Sequence, residues 1–152
     1  MNIPFLKQLR RLAGPVVQEV VLAPGAPPGV AIGPAMQHLL AELPDVLMAA
    51  VVEVATGKPL ATYTADRDLR PGAVAGFQAE AVRQVQASLR AQGLTGEAAD
   101  ELLFTLPSQL HLIHLAAAGQ LFVYLAVDCH DTNLGIAREV MRTSIERLER
   151  PV

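Results

Sequence analysis

Several residue types that would point to a particular function are scarce in this sequence of 152 residues. The single cysteine, Cys129, excludes a disulfide within the chain and is typical of a reducing compartment, so we expect a cytoplasmic protein. No apolar run reaches the ~18 residues of a membrane-spanning helix, so no membrane span is expected. The formal net charge is −3, and the chain therefore lacks the basic excess of a nucleic-acid-binding surface.

Motifs of catalysis and cofactor binding are also missing. The chain contains no glycine-rich phosphate loop, no H-E-x-x-H zinc motif and no G-x-S-x-G nucleophile turn. The sequence therefore predicts no catalytic residue, no cofactor and no metal site. We expect a protein that is not an enzyme.

The cluster Cys129-His130-Asp131 is the strongest remaining candidate for chemistry. A cysteine beside a histidine could act as a nucleophile or as a pair of metal ligands. Adjacent side chains on a turn point apart, however, and no second cysteine completes a metal motif. We favour a helix-capping turn in which Asp131 or Thr132 is the cap.

A second candidate is the pair His111 and His114, which lie three residues apart on a predicted strand. Successive strand side chains point to opposite faces of a sheet, so an offset of three places the two rings on different faces. This spacing argues against a shared metal ion.

Apolar residues are abundant: they make up 51% of a chain whose length suits one domain. Runs of apolar and β-branched residues between turn residues predict three strands, Leu102–Leu106, Leu110–Ala116 and Leu121–Val127. The gaps between them are too short for parallel crossovers, so we expect antiparallel pairing. The third run is apolar at every position before Asp128, and its sheet therefore needs a cover on both faces.

Turn residues and apolar spacing also predict helices and strands before Leu102 and a helix after Asp128. Gly57 supplies a hairpin turn, and proline at the start of the return strand suits an edge position. The remaining predicted elements are a helix between Pro34 and Pro44, strands over Val46–Val54 and Pro59–Thr64, and helices over Val74–Gln92 and Leu134–Arg150.

The helix over Val74–Gln92 has the clearest periodicity. Its apolar residues recur at steps of three and four, which predicts that one stripe of the helix lies on the sheet or on a partner. The members of this stripe are Val74, Phe77, Ala81, Val82, Val85 and Leu89.

Residues 1–33 are predicted to form an N-terminal extension that precedes a domain over residues 34–150. The segment Met1–Ala13 carries three basic residues at rough helical spacing with apolar ones, so it could dock on a membrane surface or a partner. We favour a loosely ordered extension that packs on its own domain, because three basic residues are few for membrane attraction. Val16–Val21 could add a short strand, and the proline- and glycine-rich stretch Ala23–Gly29 is a linker.

Three short motifs resemble those of the Roadblock (dynein light-chain-type) family, over about residues 34–150. The T-G-K-P-L turn at residues 56–60 is similar to the family's hairpin, in which D-G-x-P-L/I-A follows a hydrophobic strand. The stretch D-T-N-L-G-I-A-R at residues 131–138 resembles the N-L-G-x-x-R entry into the family's last helix. Gly119-Gln120 between the last two strands and the order of the elements also agree.

The resemblance implies an α+β fold, an α/β sandwich in which helices flank a five-stranded antiparallel sheet in the profilin-like order α-β-β-α-β-β-β-α. It also implies a non-enzymatic, homodimeric regulator or scaffold of a Ras-like small GTPase, as in the prokaryotic-type members that control polarity or motility. Family members pair through the middle helix and the edge strand that follows it. The dimer-interface residues that match here are Phe77, Ala81, Arg83, Gln84, Leu102, Phe104 and Leu106.

The alternative function is that of a sensory module that binds a small molecule. A sheet flanked by helices can hold a ligand in a pocket, as in profilin-like and PAS-like folds. The sequence leaves this alternative open, together with a weaker one in which Cys129 and His130 act in an enzyme.

Overall fold

A computed structural model describes residues 19–66 and 68–150 of the chain. Over these ranges the strands are β1 (Val21–Leu22), β2 (Val46–Glu53), β3 (Pro59–Thr64), β4 (Glu101–Thr105), β5 (Gln109–Ala116) and β6 (Leu121–Asp128). The helices are α1 (Ile32–Glu42), α2 (Pro71–Ala91) and α3 (Leu134–Leu148).

All neighbouring strands pair antiparallel, in the order β1-β3-β2-β6-β5-β4. The predicted α+β class with an antiparallel sheet between helices is confirmed, and the two-residue β1 adds a sixth strand to the five predicted. The edge position expected for β3 is wrong, because Val21 and Leu22 pair with Thr62 and Ala61. Within residues 19–66 and 68–150, the two edges of the sheet are therefore the very short β1 and the five-residue β4.

Helices cover the two faces of the sheet, as the two-sided strand β6 predicts. Leu121, Val123, Leu125 and Val127 pack with α1 and α3 in one core. Phe122 and its neighbours on the opposite face pack with α2 in a second core. Every residue of β6 is buried, which makes this strand the centre of the fold.

The predicted apolar stripe of helix α2 faces the sheet only in part: Val82 is buried there and Val74 packs against the same core. Phe77 leaves 82% of its surface exposed and points away from the sheet. Ala75 and Ala79 are buried instead, since small side chains let the helix axis approach the sheet closely. The residues of α2 that are buried are Pro71, Ala75, Gln78, Ala79 and Val82.

The hairpin between β2 and β3 holds α2 in place. Gly57 adopts the left-handed conformation (φ +71°) predicted for this turn, and a Cβ atom there would lie 3.2 Å from the Cα atom of Gly76. Arg83 Nη1 donates hydrogen bonds to the carbonyl oxygens of Val54, at 2.6 Å, and Ala55, at 3.3 Å. A close backbone approach and an arginine clamp thus fix α2 along this turn.

The cap of α3 is Asn133, and neither Asp131 nor Thr132, the two predicted. Its backbone is extended (φ −86°, ψ 160°), and its Oδ1 accepts a hydrogen bond from the Ile136 N–H at 2.9 Å. An extended cap residue with its oxygen over the first turn satisfies a helix donor that otherwise has no partner.

The chain before Gly33 also contacts the rest of the fold. Residues 16–18 of the strand predicted over Val16–Val21 lie outside the described residues, and the strand observed in this region is Val21–Leu22. Ala31 N–H donates to the Leu148 carbonyl at 2.8 Å. The segment Met1–Ala13 lies outside the described residues, and the division at residue 33 stays a prediction. Among residues 19–66 and 68–150, no helix has both the length and the apolar character needed to span a bilayer.

Candidate protein-interaction surface

The edge of β4 is a candidate for pairing with another chain. Leu106 and Gln109 exchange both backbone hydrogen bonds, and Leu115 N–H donates to the Asp100 carbonyl at 2.9 Å. Hydrogen-bonded pairs alternate along an antiparallel ladder, so the even-numbered residues of β4 bond to β5. The backbone groups of Glu101, Leu103 and Thr105 therefore point outward from the sheet.

Exposed apolar side chains lie along this edge. Phe104 is 44% exposed and Leu106 is 50% exposed. Both follow Leu102, which packs against the core on the α2 side of the sheet, at steps of two residues. An unpaired strand edge next to apolar side chains is a template for association, and natural proteins normally cover or charge such an edge.

Helix α2 carries a further exposed apolar side chain, Phe77, next to the point where the helix approaches the β2–β3 hairpin. The exposed Gln84 is held by Glu80 through a hydrogen bond of 2.8 Å. Arg83, by contrast, is engaged within the protomer, because it binds the hairpin carbonyls and Glu80 Oε2, at 2.6 Å. The seven predicted interface residues thus comprise exposed Phe77, Gln84, Phe104 and Leu106 and half-buried Ala81, Arg83 and Leu102.

A partly buried network of polar side chains lies on the α2 side of the sheet. His111 Nδ1 is 2.7 Å from the Tyr124 hydroxyl, and His111 Nε2 is 2.8 Å from Gln109 Oε1. Burial lowers the pKa of His111. Burial also raises the pKa of Tyr124, an effect that a hydrogen bond from Gln78 partly opposes. Both shifts favour the neutral forms of the two side chains.

The lowered pKa of His111 makes the stability of the fold depend on pH. Below about pH 6.5, the ordinary value for histidine, the unfolded chain binds a proton at this position more readily than the folded chain does. The free energy of unfolding should therefore decrease as the pH falls from 7.5 to 5.5. Urea unfolding at both values checks this, and the His111→Gln variant should show a smaller decrease; an equal decrease in both proteins would contradict it.

The other sequence candidates are not assembled into a reactive site. Cys129 Sγ donates to the Pro107 carbonyl at 3.7 Å, whereas His130 Nδ1 lies 2.8 Å from Asp128 Oδ1. His114 pairs with Val123 on the opposite face from His111, as predicted. In the part of the chain that the structure describes, no three His, Cys, Asp or Glu side chains group as metal ligands.

A groove of about 700 Å³ opens where β4 begins. Leu89 and Leu94, from the end of α2 and the following loop, form one side, and Leu115 of β5 forms another. Asp100, the residue before β4, also lines the groove. Sequence analysis missed this groove, because it depends on how the end of α2 sits over the end of β5.

Comparison with known proteins gives likeness in structure alone. No family sequence model and no curated protein matches the chain. Myxococcus xanthus MglB matches with a TM-score of 0.67 and 13% identity, covering 78% of this chain and 84% of MglB. The gliding protein MglB of Thermus thermophilus matches with a TM-score of 0.63 and 19% identity, covering 82% of this chain and 96% of the other. The Roadblock/LC7 domain of Streptomyces avermitilis matches with a TM-score of 0.58 and 14% identity, covering 74% of this chain and 89% of the other.

These likenesses show a Roadblock-type fold, and the predicted resemblance in fold is confirmed. Two of the three solved structures are MglB proteins, so this chain is similar in fold to MglB. A further solved MglB, with a tetrameric arrangement, matches with a TM-score of 0.64 and 19% identity, covering 82% of this chain and 95% of the other.

Proposed function

We propose that the protein is a homodimeric, non-catalytic regulator or scaffold of a Ras-like small GTPase, working in the cytoplasm. The observation that carries the dimer is the open β4 edge with exposed Phe104 and Leu106 beside it. The GTPase partner is supported by the Roadblock-type fold together with the hairpin and last-helix motifs that resemble the family's.

The dimer forms by antiparallel pairing of β4 with β4 of a second copy. A two-fold axis at Leu103 matches the full five-residue strand with itself and places Glu101 opposite Thr105. All three outward-facing residues then exchange backbone hydrogen bonds across the axis. The pairing joins the two sheets into one and removes the exposed edge.

The same axis places the two α2 helices antiparallel on one face of the joined sheet. Ala81 is the small residue of this contact, and Phe77 and Gln84 flank it on the outer side of the helix. Arg83 contributes indirectly, because it holds α2 against the hairpin. Exposed Phe77 gains the largest burial, and a fully buried aromatic side chain contributes about 1.5 to 3 kcal/mol.

Light scattering after size-exclusion chromatography tests the dimer. At micromolar concentration the expected mass is twice the chain mass of 16.2 kDa. A Phe77→Ser variant should dissociate more readily, and an Ile136→Ser variant, at an exposed position on α3, serves as a control outside the proposed interface. A wild-type monomer at this concentration would refute the dimer.

The partner is tested by affinity purification from the native lysate, followed by mass spectrometry. We expect a Ras-like small GTPase to be recovered, and its purified form to bind differently when loaded with GDP and with a GTP analogue. Hydrolysis rates with and without the protein then separate stimulation from recruitment. Recovery of no GTPase in either nucleotide state would count against this function.

A further inference from the structure

We propose that the groove at the start of β4 receives the end of β4 from a second copy of the chain, with Leu106 as the inserted side chain and Phe104 beside it. The inference rests on the proposed homodimer and adds a specific reciprocal contact to it. Each protomer would contribute one groove and one inserted strand end, so the contact occurs twice about the two-fold axis.

The register of the β4 pair brings these two features together. With the axis at Leu103, residue Leu106 of one copy lies opposite Asp100 of the other, and Asp100 lines the groove. Both positions use their own backbone groups to bond to β5, so they form a non-hydrogen-bonded pair across the dimer. The Cα atoms of such a pair are about 4.5 Å apart, close enough for side-chain contact.

The inserted side chains and the groove also lie on the same face. Leu115, which lines the groove, and Leu102 both pack against the core beneath α2. Side chains two residues apart on a strand share a face, so Phe104 is on this side, and continued alternation places Leu106 there too. The exposed ends of β4 and the apolar groove are therefore complementary under the two-fold axis.

The chemistry of the two surfaces matches. The end of β4 and the turn that follows it, Phe104 to Leu110, contain no charged residue. This segment can therefore enter the groove without burying an ion. The groove presents Leu89, Leu94 and Leu115 to the inserted segment. Its four charged residues, Arg90, Glu97, Asp100 and Glu149, are all at exposed positions, so their charges can remain in solvent.

The turn that borders the groove is held in an uncommon conformation. Ala117 and Ala118 adopt left-handed φ values of 50° and 55°, which alanine seldom does. The Ala117 N–H donates to Glu149 Oε1 at 2.9 Å, and Ala118 lines the groove. Such backbone strain concentrates at functional sites, so it supports a role for this groove in recognition.

Disulfide trapping tests the contact directly. In a Cys129→Ser background, one preparation carries Asp100→Cys and another carries Leu106→Cys. Mixing and oxidising the two should produce a covalent heterodimer, because a non-hydrogen-bonded strand pair has the spacing that a disulfide requires. Mixing Leu106→Cys with Val21→Cys, which lies on the opposite edge of the sheet, should produce little or none.

Charge complementation tests the apolar insertion. The Leu106→Glu and Leu94→Lys proteins should each dimerise at least tenfold more weakly than the wild type. A mixture of the two should recover affinity to within about threefold, because the heterodimer contains one Glu–Lys contact and one unaltered contact. Ile136→Glu, an equally exposed position on α3, should have little effect.

The outcomes separate this inference from the proposed function. A wild-type monomer in light scattering would overturn both. A stable wild-type dimer with no Asp100–Leu106 cross-link and no complementation would overturn the groove contact alone. A small molecule found on the dimer by native mass spectrometry, and lost in Leu94→Lys, would also overturn it and favour a ligand-binding module.

Discussion

A Leu103→Pro variant should be monomeric at concentrations where the wild type is dimeric. Proline lacks the backbone N–H, and the N–H of Leu103 points away from β5 toward the proposed partner. Both central hydrogen bonds of the dimer would be lost, at about 0.5 to 1.5 kcal/mol each. The dimer should therefore dissociate roughly five- to 150-fold more readily, which analytical ultracentrifugation measures.

The folded protomer should tolerate this proline. Proline is accepted on edge strands where its N–H would face solvent, and Leu103 gives no ladder bond to β5. Leu103→Ala is the matched control, because it shortens the same side chain, which packs against the α1–α3 core, but keeps the N–H. If Leu103→Pro dimerises as tightly as Leu103→Ala, the dimer does not use the β4 edge.

Gly57→Ala should lower the free energy of unfolding by more than about 2 kcal/mol. Alanine in the left-handed conformation at this turn is less stable by about 1 to 2 kcal/mol. Its Cβ would also lie 3.2 Å from the backbone of Gly76, so the hairpin or α2 must shift. Urea unfolding measures the effect, and loosening of α2 should weaken the dimer as well.

Gly93→Ala separates the two causes. Gly93 has nearly the same conformation, φ +72° against +71° at Gly57, but a Cβ there meets nothing within 4 Å. Gly93→Ala should therefore lower the free energy of unfolding only by the cost of placing alanine in the left-handed conformation. Equal losses at the two positions would mean that the close approach of Gly57 to Gly76 contributes nothing to stability.

Much of the fold follows from local sequence signals. Breakers such as Pro107 and Gly57 mark the ends of strands, and the unbroken apolar run of β6 predicts cover on both of its faces. The edge position of β4, by contrast, depends on which strands pair, and local patterns do not contain that information. The family resemblance predicted the β4 edge as the candidate site. Which backbone groups of β4 point outward became clear only from the hydrogen bonds between β4 and β5.

The side chains of α2 likewise separate what local sequence patterns predict from what depends on tertiary packing. The apolar spacing predicts a helix here, but the predicted stripe included the exposed Phe77 and left out the buried Ala75 and Ala79. Helical periodicity identifies which residues share a face of the helix. Packing against the sheet then favours small side chains on the contact face, because they let the helix approach closely. Arg83 similarly acts through hairpin carbonyls that are distant in sequence.

The sequence by itself determined the order of helices and strands, their approximate bounds and the two-sided burial of β6, because turn residues and apolar alternation act over a few neighbouring positions. The family resemblance indicated β4 as a pairing edge and Phe77 as an interface residue. Only the tertiary structure showed that β4 is an edge among the described strands, that Phe77 is 82% exposed and that Asp100 lines a groove. These features arise from contacts between segments far apart in the chain, and only their packing fixes which surfaces remain free to bind.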